Sequence, residues 1–247
     1  MTIFRIMSYH IDALAGGFGS HGVDLCANVI RAHLPDLVML QQSGPAGGYC
    51  SVSELGERLG LAVYGDEFVG GSAFLSRYPL RQVQRFSLGH GGNCLRADFE
   101  HGGERVHLFN LTLVQNLRAR SDQVRLLFGD QLLNNPALTC ASIIAGDFGL
   151  PFYGDWQNHL NERLRRARYP LWRGTFPARF PLLDRDRIYF QGAIRSLAGH
   201  VIWSAEARRA SRHLPLVLTV ETRETREPLK LMERAKMGAK QPNPICG

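Results

Sequence analysis

The sequence predicts an α/β protein. Short apolar strand candidates alternate along it with segments whose apolar residues recur at helical spacing, and turn residues separate the two kinds of segment. This order suits either a two-sheet sandwich or a doubly wound parallel sheet, and the pattern alone leaves both open. The first strand candidate begins at Ile3. Asp24 to Leu34 then carries Leu25, Val29 and Ile30 on one helical face and is stopped by Pro35. Val38 to Leu40 reads as the next strand, and Ser51 or Ser53 caps a helix that ends at Gly60. Ala73 to Leu75, Val106 to Leu111 and Ser142 to Ala145 are strand runs bounded by Gly, Pro, Asn or Asp. Arg118 to Leu133 gives a third helix, and Asn158 to Arg168 a charged fourth. After Glu221 the apolar alternation stops, so residues 1–221 read as one domain and 222–247 as a charged tail with Pro228, Pro242 and Pro244.

Composition bounds the function classes. At 247 residues with 45% hydrophobic content, the chain buries one sizeable core. The formal charge of +7 favours anionic partners. Five cysteines, an odd number with no C-x-x-C spacing, argue against a disulfide framework and a zinc knuckle. No basic segment followed by an apolar leader opens the sequence, and no run approaches the length of a membrane span, so a soluble cytoplasmic protein is expected.

Seven short motifs carry more information. In order they are Phe4 to His10, Leu34 to Gln42, Ser72 to Leu80, Phe109 to Leu113, Ala145 to Gly149, Asp186 to Phe190 and Ser211 to Pro215. Each is weak alone, but their order resembles the endonuclease/exonuclease/phosphatase superfamily, and Thr175 to Ile188 is similar to its small stand-alone bacterial members. The resemblance implies a two-sheet αββα four-layer sandwich and metal-dependent phosphoester hydrolysis. In active members a Glu anchors Mg²⁺ with help from an Asn and an Asp. A second Asp handles the nucleophile, a nearby Asn and a His contact phosphate, and the final His pairs with a further Asp.

Carried onto this sequence, the resemblance retains Asp147 as the water-orienting carboxylate, with Asp186 and His213 as the pair. The other positions hold different chemistry: His10 for Asn, Gln42 for Glu, Thr112 for His, Gly149 for Asn and Arg212 for Asp. Gln41 is also a glutamine, so a slip of one residue restores no carboxylate. Two carboxylates are lost and a guanidinium is gained, a change of +3. A guanidinium about 5 Å from a divalent ion costs roughly 6 to 7 kcal/mol at an effective dielectric near 20, so no Mg²⁺ is expected at the ancestral position.

The replacements carry alternatives that the residues leave open. His10, Asp147 and His213 form the ligand set of a two-His-one-carboxylate site for Zn or Fe, or His10 is a hydrogen-bonded pocket residue. Arg212 either donates to an anion in place of the metal or closes the pocket by a salt bridge to Asp147. Gly149 suits a tight turn and Thr112 a satisfied strand-end hydroxyl. Arg165, Arg166 and Arg168, with Tyr169 and Trp172, read either as a phosphate-tracking surface or as the solvated face of the fourth helix. The leading reading is a non-hydrolytic protein that binds an anionic ligand, such as a phosphate-bearing small molecule, nucleic acid or lipid headgroup, or a protein partner. The competing reading is a phosphoester hydrolase, or repurposed chemistry through Asp147, Asp186 and His213.

Overall fold

A computed structural model describes residues 1–12, 20–43, 52–65, 71–149, 155–168 and 174–222. The expected tail, apart from Thr222, lies outside them, as do Tyr169 and Trp172.

Two six-stranded mixed sheets stack on each other. The first contains β1 (Thr2–Asp12), β2 (Leu37–Ser43), β3 (Ala62–Gly65), β4 (Ser72–Ser76), β11 (Ile194–Val201) and β12 (Leu216–Thr222), in the order β11-β12-β1-β2-β4-β3. The second contains β5 (Leu80–Gly89), β6 (Gly92–His101), β7 (Glu104–Thr112), β8 (Ala141–Asp147), β9 (Arg165–Arg166) and β10 (Asp186–Gln191), in the order β5-β6-β7-β8-β10-β9. Along β1, alternate side chains point to opposite faces of the sheet, as the two-residue period requires. Phe4 on the inner face meets Phe99 of β6 at 4.8 Å between ring centroids. The first-sheet helices are α1 (Ser20–His33), α2 (Val52–Leu59) and α5 (Ala205–Ala210), with α1 packed against both others. The second sheet has α3 (Leu117–Leu127) and α4 (Asp155–Arg163) on its outer face over a separate apolar cluster of Phe109, Leu111, Val124, Trp156, Leu160 and Tyr189. This is the sandwich expected from the motifs.

The helix ends differ from expectation where local chemistry intervenes. Helix α1 begins four residues before Asp24 and ends before Leu34, which takes a left-handed φ of 45°. Helix α2 stops at Gly60, whose φ of +63° suits a glycine cap. Asn116 caps α3 by accepting from the amides of Arg118 and Ala119. That helix ends six residues short of Leu133, because Leu132 and Leu133 are buried by turns rather than by continued helix. The largest departure concerns the charged fourth helix. It ends at Arg163, and Arg165 and Arg166 become an edge strand paired with Phe190 and Tyr189.

Candidate functional site

The site lies where strand ends of the two sheets meet. In the second sheet, register aligns Asn93, Thr112, Asp147 and Asp186 in one row across β6, β7, β8 and β10. From the first sheet comes His10, on the inner face of β1, and from the loop after α5 comes His213. That loop is tied down locally: Ser211 Oγ donates to the His10 carbonyl at 2.7 Å, and the His213 amide donates to Ser211 Oγ at 3.1 Å. Thr175 supplies a second anchor, accepting at its carbonyl from the Leu214 amide at 2.8 Å and at its hydroxyl from the Asp186 amide at 3.1 Å.

These anchors bring two histidine–aspartate pairs together. His213 Nδ1 is 2.8 Å from Asp186 Oδ2, and His10 Nδ1 is 3.2 Å from Asp147 Oδ2. The two imidazoles stack with centroids 4.1 Å apart and planes 8° from parallel. All four side chains are buried. Ligand-type atoms of His10, Asp147 and His213 lie within 4.8 Å of one another, so the three residues read as one constellation do converge.

Asp147 is also held by an arginine that the motifs did not indicate. Arg185 Nη2 donates to Asp147 Oδ2 at 2.6 Å and its Nε to Oδ1 at 3.3 Å, while the Gly149 amide donates to Oδ1 at 2.8 Å. Burial by itself raises the pKa of Asp147. The His10 contact and the charges of His213 and Arg185 outweigh that and hold it well below the usual carboxylate range. Arg185 in turn lies over the Phe176 ring at 4.6 Å, and Phe176 packs against the His213 ring at 4.8 Å. Two further arginines lie fully buried behind this pair. Arg120 donates to the Val114 and Gln115 carbonyls at 2.9 Å each, and both Arg120 and Arg187 lie over Trp156, at 5.0 and 5.7 Å. Burial lowers the pKa of Arg120, against the opposing charge of Asp147.

The remaining sequence candidates are spread more widely. Gln42 pairs with Ile11 in β2, with its side chain outside the described residues. Gln41, in register with His10, donates to Asn110 Oδ1 at 2.7 Å, and Asn110 donates to the carbonyls of Leu40 and Ala73, so this amide pair staples the sheets beside the site. Thr112 stands next to Asp147 as expected, but its buried hydroxyl finds no hydrogen-bond partner among the described residues, contrary to the satisfied hydroxyl read from sequence. Gly149 takes a left-handed φ of +73°, which suits a glycine. Arg212 has an exposed side chain, and the guanidinium found on Asp147 is that of Arg185.

Arg165, Arg166 and Arg168 do not share a helix face. Together with Arg195 and Phe190 they line a flank cavity of about 290 Å³. Arg165 sits opposite Phe190, four residues and roughly 13 Å along β10 from Asp186. Arg165 donates to backbone carbonyls of Gly192 and Ile194, and Arg166 pairs with Asp184. Arg185 and Arg120 are thus the site residues that sequence reasoning missed. The one available signal for Arg185 was its position immediately before Asp186.

No protein-family model and no curated protein sequence matches the chain. Solved structures do resemble it. An endonuclease/exonuclease/phosphatase from Beutenbergia cavernae aligns at 20% identity with a TM-score of 0.69, covering 89% of this chain and 72% of its own. The D. rerio TDP2 complexed with single-strand DNA product aligns at 16% and 0.68, covering 90% and 100%. The human Nocturnin catalytic domain with bound sulfate anion aligns at 17% and 0.70, covering 90% and 95%. At such identities the likeness defines the fold. The chain has the endonuclease/exonuclease/phosphatase fold, a scaffold shared by nucleases and phosphatases.

Proposed function

We propose that the site where the strand ends of the two sheets meet, hereafter the cleft, binds a phosphate-bearing anion without a divalent cation, and that the chain is a non-hydrolytic protein on a hydrolase fold. The contact between Arg185 and Asp147 carries this reading. Mg²⁺ requires carboxylate oxygens in near-octahedral geometry. Both oxygens of Asp147 are engaged, by Arg185, Gly149 and His10, and Asp186 Oδ2 faces His213. The described residues do not fit that ion. A guanidinium at the water-orienting carboxylate also neutralises the charge that would repel a phosphate, and His213 and the exposed Arg212 supply further donors to an anion at the mouth. The sulfate held by the human Nocturnin domain is a precedent for an oxyanion on this scaffold.

Two measurements test the proposal. Calorimetry with inorganic phosphate and a phosphomonoester, in chelator, should detect binding that Arg212→Asp weakens. Cleavage of DNA, abasic DNA, phosphoinositides or sphingomyelin should not exceed an Asp147→Ala control when Mg²⁺ is added, since removing one member of a catalytic set costs orders of magnitude in rate. Mg²⁺-dependent turnover that Asp147→Ala abolishes would overturn the proposal in favour of a phosphoester hydrolase.

A second reading rests on the convergence of His10, Asp147 and His213, a donor set suited to Zn²⁺ or Fe²⁺. It requires Arg185 to leave Asp147 and the stacked rings to turn, since near-parallel imidazoles do not aim at one point. One equivalent of metal in purified protein, retained through chelator dialysis and lost in His10→Ala, would establish it instead.

A further inference from the structure

Residues 174–183 form a hairpin whose root touches the site and whose tip makes none of the contacts described above. Phe176 and Leu183 exchange backbone hydrogen bonds at 2.8 and 3.0 Å, the Gly174 amide donates to Pro181 and the Phe180 amide to Pro177, both at 2.9 Å. This ordered frame presents Phe180 at 73% exposure and Leu182 at 84%, more than any other large apolar side chain among the described residues. Scattered exposed apolar residues need no explanation, but these two stand two positions apart on one braced tip, both held out of the core. Arg179 lies beside them, exposed and with no ion-pair partner among the described residues. Arg212 adjoins the same segment, since its carbonyl accepts from the Ala178 amide at 2.7 Å.

The shape and charge of the tip select its occupant. A stable protein interface buries about 800 Å² on each side with close complementarity, which two side chains on a convex turn do not supply. A bilayer interface needs no complementary shape: it accepts an aromatic and an aliphatic side chain below the headgroups and holds arginines at their level. An excess of basic over acidic residues, 29 against 22, favours an anionic leaflet. We infer that the 176–183 hairpin is a membrane-interface anchor for anionic bilayers. It acts by partial insertion of Phe180 and Leu182 with Arg179 and Arg212 at the lipid phosphates. No helix among the described residues is long and apolar enough to cross a membrane, so this contact is peripheral. The inference goes beyond the cleft reading and stands without it. Because Thr175, at the hairpin root, bonds both Asp186 and Leu214, anchoring would hold the cleft close to the lipid surface.

Vesicle sedimentation with the full chain tests this, using phosphatidylcholine vesicles with and without phosphatidylglycerol. Wild type should bind the phosphatidylglycerol vesicles, more weakly as salt rises. The double variant F180S/L182S should lose roughly tenfold or more in partitioning while keeping the wild-type melting temperature, since neither side chain packs in the core. Arg179→Glu should weaken binding severalfold. Equal binding by wild type and F180S/L182S, or no binding to phosphatidylglycerol vesicles, overturns the inference. So does a dimer in solution that F180S/L182S dissociates, because the tip would then belong to a second copy. Phosphate calorimetry on F180S/L182S separates the two proposals, since the anchor variant leaves the cleft residues unchanged.

Discussion

Two aspartates in adjacent strands, in register across β8 and β10, are held in different ways. Asp186 faces His213 at 2.8 Å and takes the backbone amide bond to Thr175 on its own main chain, an arrangement built from one imidazole and local anchors. Asp147 is met by an imidazole at 3.2 Å, a backbone amide and a guanidinium at 2.6 Å, and three buried arginines lie on or behind it. One half of the site is held by an imidazole and a backbone anchor. The other half has become an ion cluster, and its stability rests on charges that must balance each other away from water.

The sharpest test of that contrast is Arg185→Gln against Asp186→Asn. Removing the guanidinium leaves Asp147 buried without the arginine that contacts both of its oxygens, and unfolding by urea should show a loss of about 3 to 5 kcal/mol. Asp186→Asn keeps an oxygen for His213 and should cost about 1 to 3 kcal/mol. Equal costs would mean that Arg185 is not the dominant partner of Asp147.

A second test uses acid. The pKa of Asp147 is depressed in the folded chain, so its contribution is present above the unfolded carboxylate value and is lost as pH falls through the folded one. Stability measured by urea unfolding should therefore show little dependence on this group from neutral pH down to about 5 and decline below about 4. Asp147→Asn should lose stability at neutral pH and show a shallower decline in acid. An unchanged slope would place the acid sensitivity elsewhere.

The smallest effect concerns Thr112, whose buried hydroxyl has no partner among the described residues. Thr112→Val preserves shape and removes an unsatisfied polar group, so it should leave stability unchanged or raise it by up to about 1 kcal/mol. A loss of more than that in the melting curve would reveal a bond from the hydroxyl to an ordered water or ligand.

The strands were legible as short, mostly apolar runs bounded by turn residues, as in Val106 to Leu111, which is buried on both faces, and the retained pair was legible because Asp186 and His213 sit within recognisable motifs. Arg185 and Arg120 were not. In a basic sequence an arginine reads as solvated, and nothing local distinguishes Arg120, packed inside against Trp156, from Arg118 exposed on the same helix. The edge strand at Arg165 and Arg166 was hidden for a related reason: a two-residue strand carries no period, and its pairing depends on β10, which lies twenty residues later in the chain.

Gly149 and Arg120 constrain each other. A side chain at 149 would start 2.4 Å from Arg120 Nη2 and 2.8 Å from its Cζ, on a backbone whose φ of +73° already disfavours one. The guanidinium fills the space beside that α-carbon, so introducing asparagine at this position alone collides with Arg120, and truncating Arg120 alone opens a hole beside Trp156. Each single substitution is harmful in the presence of the other residue, so the two positions are coupled. Placing a side chain at 149 therefore calls for a change at Arg120 as well, and a laboratory attempt to put an asparagine there should begin with that double substitution.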